Sequence, residues 1–149
     1  MKAVIQRVKS ATLSVDGVEI SAIGKGLCVY FGVEVGDDET QADYIAKKIF
    51  AMRIFEDENG KMNKSLSDIG GEILLISQFT LCADTSGGNR PSFVGAEKPD
   101  RANALYEYEA AKLREYGATV KQGVFGADMQ ILQHNDGPVT IILNKDKNR

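Results

Sequence analysis

The sequence predicts an α+β fold, a single domain in which a mainly antiparallel sheet, a partly closed barrel, carries two main helices packed on it. Apolar runs of strand character recur at the start, middle and end of the chain. Two well-separated stretches switch to helical spacing between them, the pattern of strands and helices segregated into layers. The 149 residues suit one core, and a chain of this length buries roughly two-thirds of its unfolded surface.

The first third reads as short strands. Residues 2–8, "KAVIQRV", alternate; "ATLSV" and "VEISAI" flank Asp16-Gly17, a hairpin signal; "GLCVYFGV" is a buried apolar run after "GKG". Over 37–55 the period changes: Ala42, Ile45, Ala46, Ile49 and Phe50 recur at helical spacing behind an acidic start that suits a helix N-terminus. "EDENGK" is a turn, and "GGEILLISQFTLCA", residues 70–83, is the most continuous buried strand candidate. "DTSGGNRPSFVGAEKP" is Gly-rich and aperiodic, a surface loop. Pro99-Asp100 then opens a second helix that Gly117 closes. "ATVKQGVF", "MQILQH" and "VTIILN" finish the sheet, and 144–149, "NKDKNR", form a flexible, solvated tail. Between the last two strands lies "NDGPVT". Pro138 has no N–H to give a ladder and Gly137 adds backbone freedom, so this is either an ordinary turn or a place where the main chain itself has a task.

Composition narrows the function. A hydrophobic fraction of 43% and a charged fraction of 26% belong to a folded globular protein. No apolar stretch is long enough to cross a membrane, and "MKAVIQRVKS" lacks a signal-peptide layout, so a cytoplasmic location is expected. The net charge of −3 argues against a broad grip on a nucleic-acid duplex and leaves room for contact with one RNA end. Cys28 and Cys82 form no CxxC pair and His134 is the single histidine, too few soft ligands for zinc; no metal and no cofactor are expected. Both cysteines sit in apolar runs and read as reduced, buried thiols.

The candidate chemistry has two readings at most positions. Ser77 and Thr80 in "SQFTL" are either hydroxyls bonded to backbone or part of an active-site strand. Strand alternation would put Ser77 and Phe79 on one face, with Gln78 and Thr80 together on the other as a possible pocket wall. His134 is the only imidazole available to activate a hydroxyl, although a lone histidine at a strand end is more often structural or exposed. Arg7 interrupts an apolar strand, which alternation allows on a polar face. Phe125 and Met129 belong to either core or pocket. There is no P-loop and no Rossmann fingerprint.

Two stretches shift the balance. "SQFTL" at 77–81 followed by "NDGPVT" at 135–140 resembles the D-aminoacyl-tRNA deacylases, also called D-tyrosyl-tRNA deacylases. "IQRV", "GKMN" at 60–63, "RPSF" at 90–93, "DRA" at 100–102 and "ADMQ" at 127–130 stand in the order of that family, so the similarity spans almost the whole chain. The resemblance implies a homodimer in which a loop with a cis Gly137-Pro138 bond enters the partner's active site. There Gly137 and Pro138 present carbonyl oxygens to the substrate, Arg7 orients the loop and Gln78 supports it. The substrate implied is the 3′ end of an aminoacyl-tRNA carrying a D-amino acid. By the same likeness Ser77, Gln78, Phe79 and Thr80 are the catalytic set, with the Phe79 N–H facing the developing oxyanion, and Phe125, Met129 and Asn135 complete the binding residues. Thr80 has no evident base, so hydrolysis assisted by the neighbouring ribose hydroxyl is the expected chemistry. A non-catalytic dimer that binds RNA ends, and a small-molecule hydrolase using His134, are the alternatives.

Overall fold

The computed structural model describes residues 1–147. Among these residues eight strands and two helices follow one another as β1 (Lys2–Val15), β2 (Val18–Ile23), β3 (Gly26–Gly32), α1 (Glu39–Ala51), β4 (Phe55–Glu56), β5 (Met62–Lys64), β6 (Glu72–Ser77), α2 (Pro99–Glu115), β7 (Thr119–Gln122) and β8 (Gln130–Asn144). A short 3-10 helix, Phe79–Cys82, lies between β6 and α2. β1 is the organising strand. Along one edge it pairs with β2 and then β3, Ala11 opposite Ile23 and Val8 opposite Gly26, with a register shift between Leu13 and Ser14; along the other it pairs with β8. β3, β6 and β7 continue the sheet in parallel, so it is mixed. Parallel neighbours need long crossovers, which α1 and α2 supply.

The sheet curls until β2 faces β7, and the seam is closed by side chains: Ser21 Oγ donates to the Gln122 carbonyl at 2.5 Å, Lys121 Nζ to the Ala22 carbonyl at 2.9 Å, and the Gly24 N–H to Glu72 Oε1 at 3.0 Å. The result is nearly a barrel. Its interior holds Val8, Ala11, Leu13, Ile23, Cys28, Leu74 and Ile76. On the opposite face of the strands Ile5, Leu27, Val29, Phe31, Ile73 and Leu75 meet Ile45 and Ile49 of α1 and Leu105, Tyr106 and Leu113 of α2. Strands buried on both faces explain the unbroken apolar runs in β3 and β6. Each fully buried side chain of this size contributes roughly 1.5–3 kcal/mol. Cys28 and Cys82 are buried free thiols, and burial pushes Cys28 up to about 12.

Both helices start where the sequence marks them. Asp38 accepts from the Thr40 N–H at 2.8 Å while Gln41 Oε1 takes the Asp38 N–H at 2.8 Å, a reciprocal cap. Pro99 opens α2 at its first turn. Four expectations need correction. The first helix stops at Ala51 rather than running to 55, because the chain turns extended at Met52 and Phe55 is drawn into the β4–β5 hairpin. Residues 70–83 are not one strand: β6 ends at Ser77 and the 3-10 helix follows, which cancels the alternation argument for Gln78 and Thr80. The last two strands are one, β8, with the proline segment inside it. The tail begins later than 144: Asn144 ends β8, and Lys145 exchanges main-chain hydrogen bonds with Met1 at 2.9 and 3.0 Å. Residues 148 and 149 of the expected tail lie outside the described residues.

One buried group has no evident compensation. Glu109 of α2 is 0% exposed, and neither carboxylate oxygen has a hydrogen-bond partner among the described residues. Burial, with a smaller push from Asp43 of α1, raises its carboxyl to about 9. An unfolded chain releases this proton near the ordinary glutamate value, roughly 4.3. Between that pH and about 9 the unfolded state therefore loses a proton that the native state keeps, and stability falls as pH rises. Glu109→Gln removes this penalty. Urea denaturation should show the variant equal to the parent near pH 4 and more stable by on the order of 1–3 kcal/mol at pH 7.

Candidate active site

The end of β6 opens into a cleft of about 720 Å³. One wall is main chain. The Gln78 N–H donates to the Phe31 carbonyl at 2.8 Å, carrying the β3–β6 pairing one residue beyond Ser77, and the chain then tightens into the 3-10 helix. Gly32 at the end of β3 permits this approach, since a Cβ there would stand 3.0 Å from the Gln78 carbonyl and 3.1 Å from Leu81 Cβ. Ser77, Gln78 and Phe79 line the cleft, and Phe125 and Met129 line it from the segment between β7 and β8. Behind them the Tyr106 hydroxyl donates to the Leu75 carbonyl at 2.6 Å and its ring packs against Phe125, which ties α2 to β6 and to the lining.

Residues outside the predicted set also belong here. Phe93 meets Phe79 edge to face at 5.1 Å, and Phe79 remains 55% exposed, which places an aromatic pair at the mouth. Lys98, Pro99 and Ala102 bring the start of α2 to the rim, and Glu97 and Asp128 add carboxylates. The Gly-rich loop that supplies Phe93 and Lys98 is held by main chain: Asp84 and Ser92 exchange N–H···O bonds at 2.8 Å, and the Glu97 N–H reaches the Val33 carbonyl at 3.0 Å. Lack of periodicity hid these residues. The signal available was an aromatic inside a polar, Gly-rich segment. Thr80 is exposed and accepts from Gln78 Nε2 at 2.5 Å, beside the cleft rather than on its lining.

The other predicted residues form a second constellation. Gln6 of β1 lies opposite Thr140 of β8 and Val8 opposite Asn135, so Arg7 alone opposes four residues, Asp136 to Val139. β8 therefore throws out a bulge with Gly137 and Pro138 at its exposed tip. Proline is tolerated inside the strand because at a bulge it owes the ladder no N–H. The Gly137–Pro138 peptide is cis, and Gly137 has φ +128°. A Cβ at Gly137 would come within 2.9 Å of Val139 and 3.2 Å of Arg7 Nη2.

Arg7 holds the base of the bulge. Its guanidinium is 5% exposed; Nε donates to the Asp136 carbonyl at 3.1 Å and lies 3.5 Å from Asp136 Oδ2, while Nη1 donates to the Ile54 carbonyl at 2.8 Å. Asn135 Oδ1 accepts from Gln133 at 2.8 Å. Among the described residues, Arg7, Asn135, Gly137 and Pro138 are not on the lining of their own chain's cleft. His134 is exposed on β8 opposite Ser10, also away from that lining.

With these two constellations in view, the comparisons with known proteins decide the kinship. Residues 4–144 match the family model described as D-Tyr-tRNA(Tyr) deacylase. The chain belongs to that family. It is 53% identical to a D-aminoacyl-tRNA deacylase of Geotalea daltonii over 147 residues, covering 99% of this chain and 98% of the relative. It is 50% identical to the protein of that name from Geobacter sp. strain M21, with both chains fully covered. A solved structure described as "c-Myc DNA Unwinding Element Binding Protein" superposes with a TM-score of 0.93 at 43% identity, over 98% of this chain and 99% of the other. A second, described as a probable eukaryotic D-amino acid tRNA deacylase, has a TM-score of 0.77 at 18% identity, over 95% and 97%, and shares the fold. The family membership makes this deacylase chain a hydrolytic enzyme.

The buried fork of Arg7 reaches the Asp136 and Ile54 carbonyls from two separate nitrogens, Nε and Nη1, a spread that the one nitrogen of a lysine does not reproduce. Arg7→Lys should lower stability by about 3 kcal/mol in a denaturant titration, the cost of breaking a buried charged contact on one side.

Proposed function

We propose that this deacylase hydrolyses the ester joining a D-amino acid to the 3′-terminal ribose of tRNA, and that it selects by handedness through the Gly137–Pro138 bulge. The observation that carries the reading is the separation of the two constellations. The cleft holds a strand end, a 3-10 helix start and apolar walls, yet the braced bulge lies outside it. A second copy of the chain brings them together, its bulge entering the first copy's cleft. β8 supports such pairing. It is 15 residues long and, among the described residues, pairs only with β1, and its Leu132 and Ile142 are 75% and 72% exposed. A long, apolar, open edge strand is a template for another chain.

In the reaction, water attacks the ester carbonyl and negative charge grows on its oxygen. The first N–H groups of a helix lack intrahelical acceptors, and here they belong to Phe79 and Thr80. Each donor aimed at the oxyanion is worth on the order of a hundred- to a thousandfold in rate. Thr80 has Gln78 as its side-chain partner and, among the described residues, no base bonded to it, so the neighbouring ribose hydroxyl orients or activates the water, and Thr80 supports the turn. With the ester carbon and α-amino group fixed, hydrogen and side chain have assigned places on Cα. The bulge fills the place an L side chain requires, which rejects every L residue without reading its identity. Glycine carries hydrogen in both places and is hydrolysed. The phenylalanine pair at the mouth suits the flat terminal base of the RNA. The net charge of −3 favours this one-ended contact over a grip on duplex DNA. The enzyme works in the cytoplasm, where charged tRNA is found; no helix among the described residues is long and apolar enough to cross a membrane.

The test is ester loss from matched D-, L- and glycyl-tRNA, followed with the parent, His134→Ala and Gly137→Ala. The parent and His134→Ala should release D-amino acid and glycine and spare the L ester. Gly137→Ala, which forces a side chain into a left-handed backbone against Val139, should lose at least tenfold in D-specific rate, as expected of roughly 1.4 kcal/mol or more of strain. Binding of charged tRNA without release would leave an RNA-end-binding protein. Loss of activity in His134→Ala alone would restore the histidine mechanism.

A further inference from the structure

The bulge is braced twice, and the second brace involves residues with no role so far. Successive side chains on a strand point to opposite faces, so Gln6 lies on the face of β1 away from Arg7. There Gln133 forms a hub. Its Nε2 donates to Gln6 Oε1 at 2.9 Å and to Asn135 Oδ1 at 2.8 Å, while its Oε1 accepts from the Tyr30 hydroxyl. Gln6 Nε2 in turn lies 3.5 Å from Thr140 Oγ1. Both N–H bonds and the carbonyl of one amide are used, which fixes its orientation. The two residues it reaches have a shared property. Asn135 is the last β8 residue in register before the bulge, and Gln6 faces Thr140, the first in register after it.

We propose that Gln133 is a positioning residue for substrate handedness: with Gln6 and Tyr30 it clamps both ends of the bulge on the face opposite Arg7, and so sets where the tip stands. This rests on the reading of the bulge as the handedness gate. Arg7 grips the interior of the bulge through Asp136, whereas the amide hub fixes the points at which β8 leaves and rejoins β1. Tyr30 ties the hub to β3, whose Phe31 carbonyl takes the Gln78 N–H, so the clamp and the cleft wall of one chain share a strand. Releasing the ends lets the tip move out of the volume that excludes an L side chain, without touching the cleft that holds the ester.

The experiment compares hydrolysis of D-tyrosyl-tRNA and L-tyrosyl-tRNA under excess enzyme for the parent, Gln133→Leu and Tyr30→Phe, with a thermal melt of each. Leucine keeps the bulk and removes every hydrogen bond; phenylalanine keeps the ring and removes the hydroxyl. The D/L rate ratio should fall about tenfold in Gln133→Leu, two net hydrogen bonds' worth, and by a smaller factor in Tyr30→Phe. The fall should come from faster L release and should not track the melting temperature, as a purely structural role would. A folded Gln133→Leu with the parent's ratio overturns the clamp; should that variant fail to fold, the ratio in Tyr30→Phe decides in the same way. A parent that shows no preference for the D ester overturns the functional reading together with the clamp, whereas a D-preferring parent with unchanged variants overturns the clamp alone.

Discussion

The buried guanidinium of Arg7 joins three segments that the sequence keeps far apart: β1, the residues entering β4, and the bulge of β8. A charge this enclosed is tolerable only with its donors occupied, and two of the atoms that occupy them are main-chain carbonyls whose positions are thereby set. If the guanidinium were removed, the Asp136 carbonyl and the buried Ile54 carbonyl would each lose a partner. The bulge is thus an ordered projection built into the sheet, and the strand β8 can run its full length around it.

The rest of the molecule provides two stable surroundings for that projection. A nearly closed barrel with helices against one face gives β1 a rigid position, so a bulge on its neighbour has a defined origin. The parallel edge through β3 and β6 ends where the Gln78 N–H meets the Phe31 carbonyl, and the tight 3-10 helix after it presents main chain to the cleft. On the proposed reading, catalysis by backbone donors and by the substrate's own hydroxyl suits a cleft whose side chains are mostly apolar. It also suits a chain whose only histidine lies elsewhere. The proposed selection by main-chain volume would have a related advantage, since it depends on no side chain that could relax to admit the wrong hand.

Much of the fold was legible because it depended on local pattern. Asp16-Gly17, the acidic cap of α1, and Pro99 with Gly117 around α2 each mark an element boundary through the conformations those residues favour. The failures share a cause. The end of β6 and the continuity of β8 through Pro138 depend on partners distant in the chain: Phe31 for the first, Arg7 with its single-residue pairing position for the second. The loop before α2 read as mere surface because its order comes from main-chain bonds to Val33 and Val35, just past β3, and to its own far side.

The sequence by itself determined the family and the make-up of the proposed site: an arginine in a strand, a Gly-Pro pair between apolar runs, and a hydroxyl- and phenylalanine-bearing strand end, in an order that marks the family. Only the tertiary structure decided that these fall into two constellations, that the proline stands on a bulge within one continuous strand, and that Gln133 bonds to Gln6, Tyr30 and Asn135 beside it. The physical reason is that register and burial are long-range properties. Whether a strand pairs straight through or loops out is settled by the residue opposite, which the local sequence does not contain.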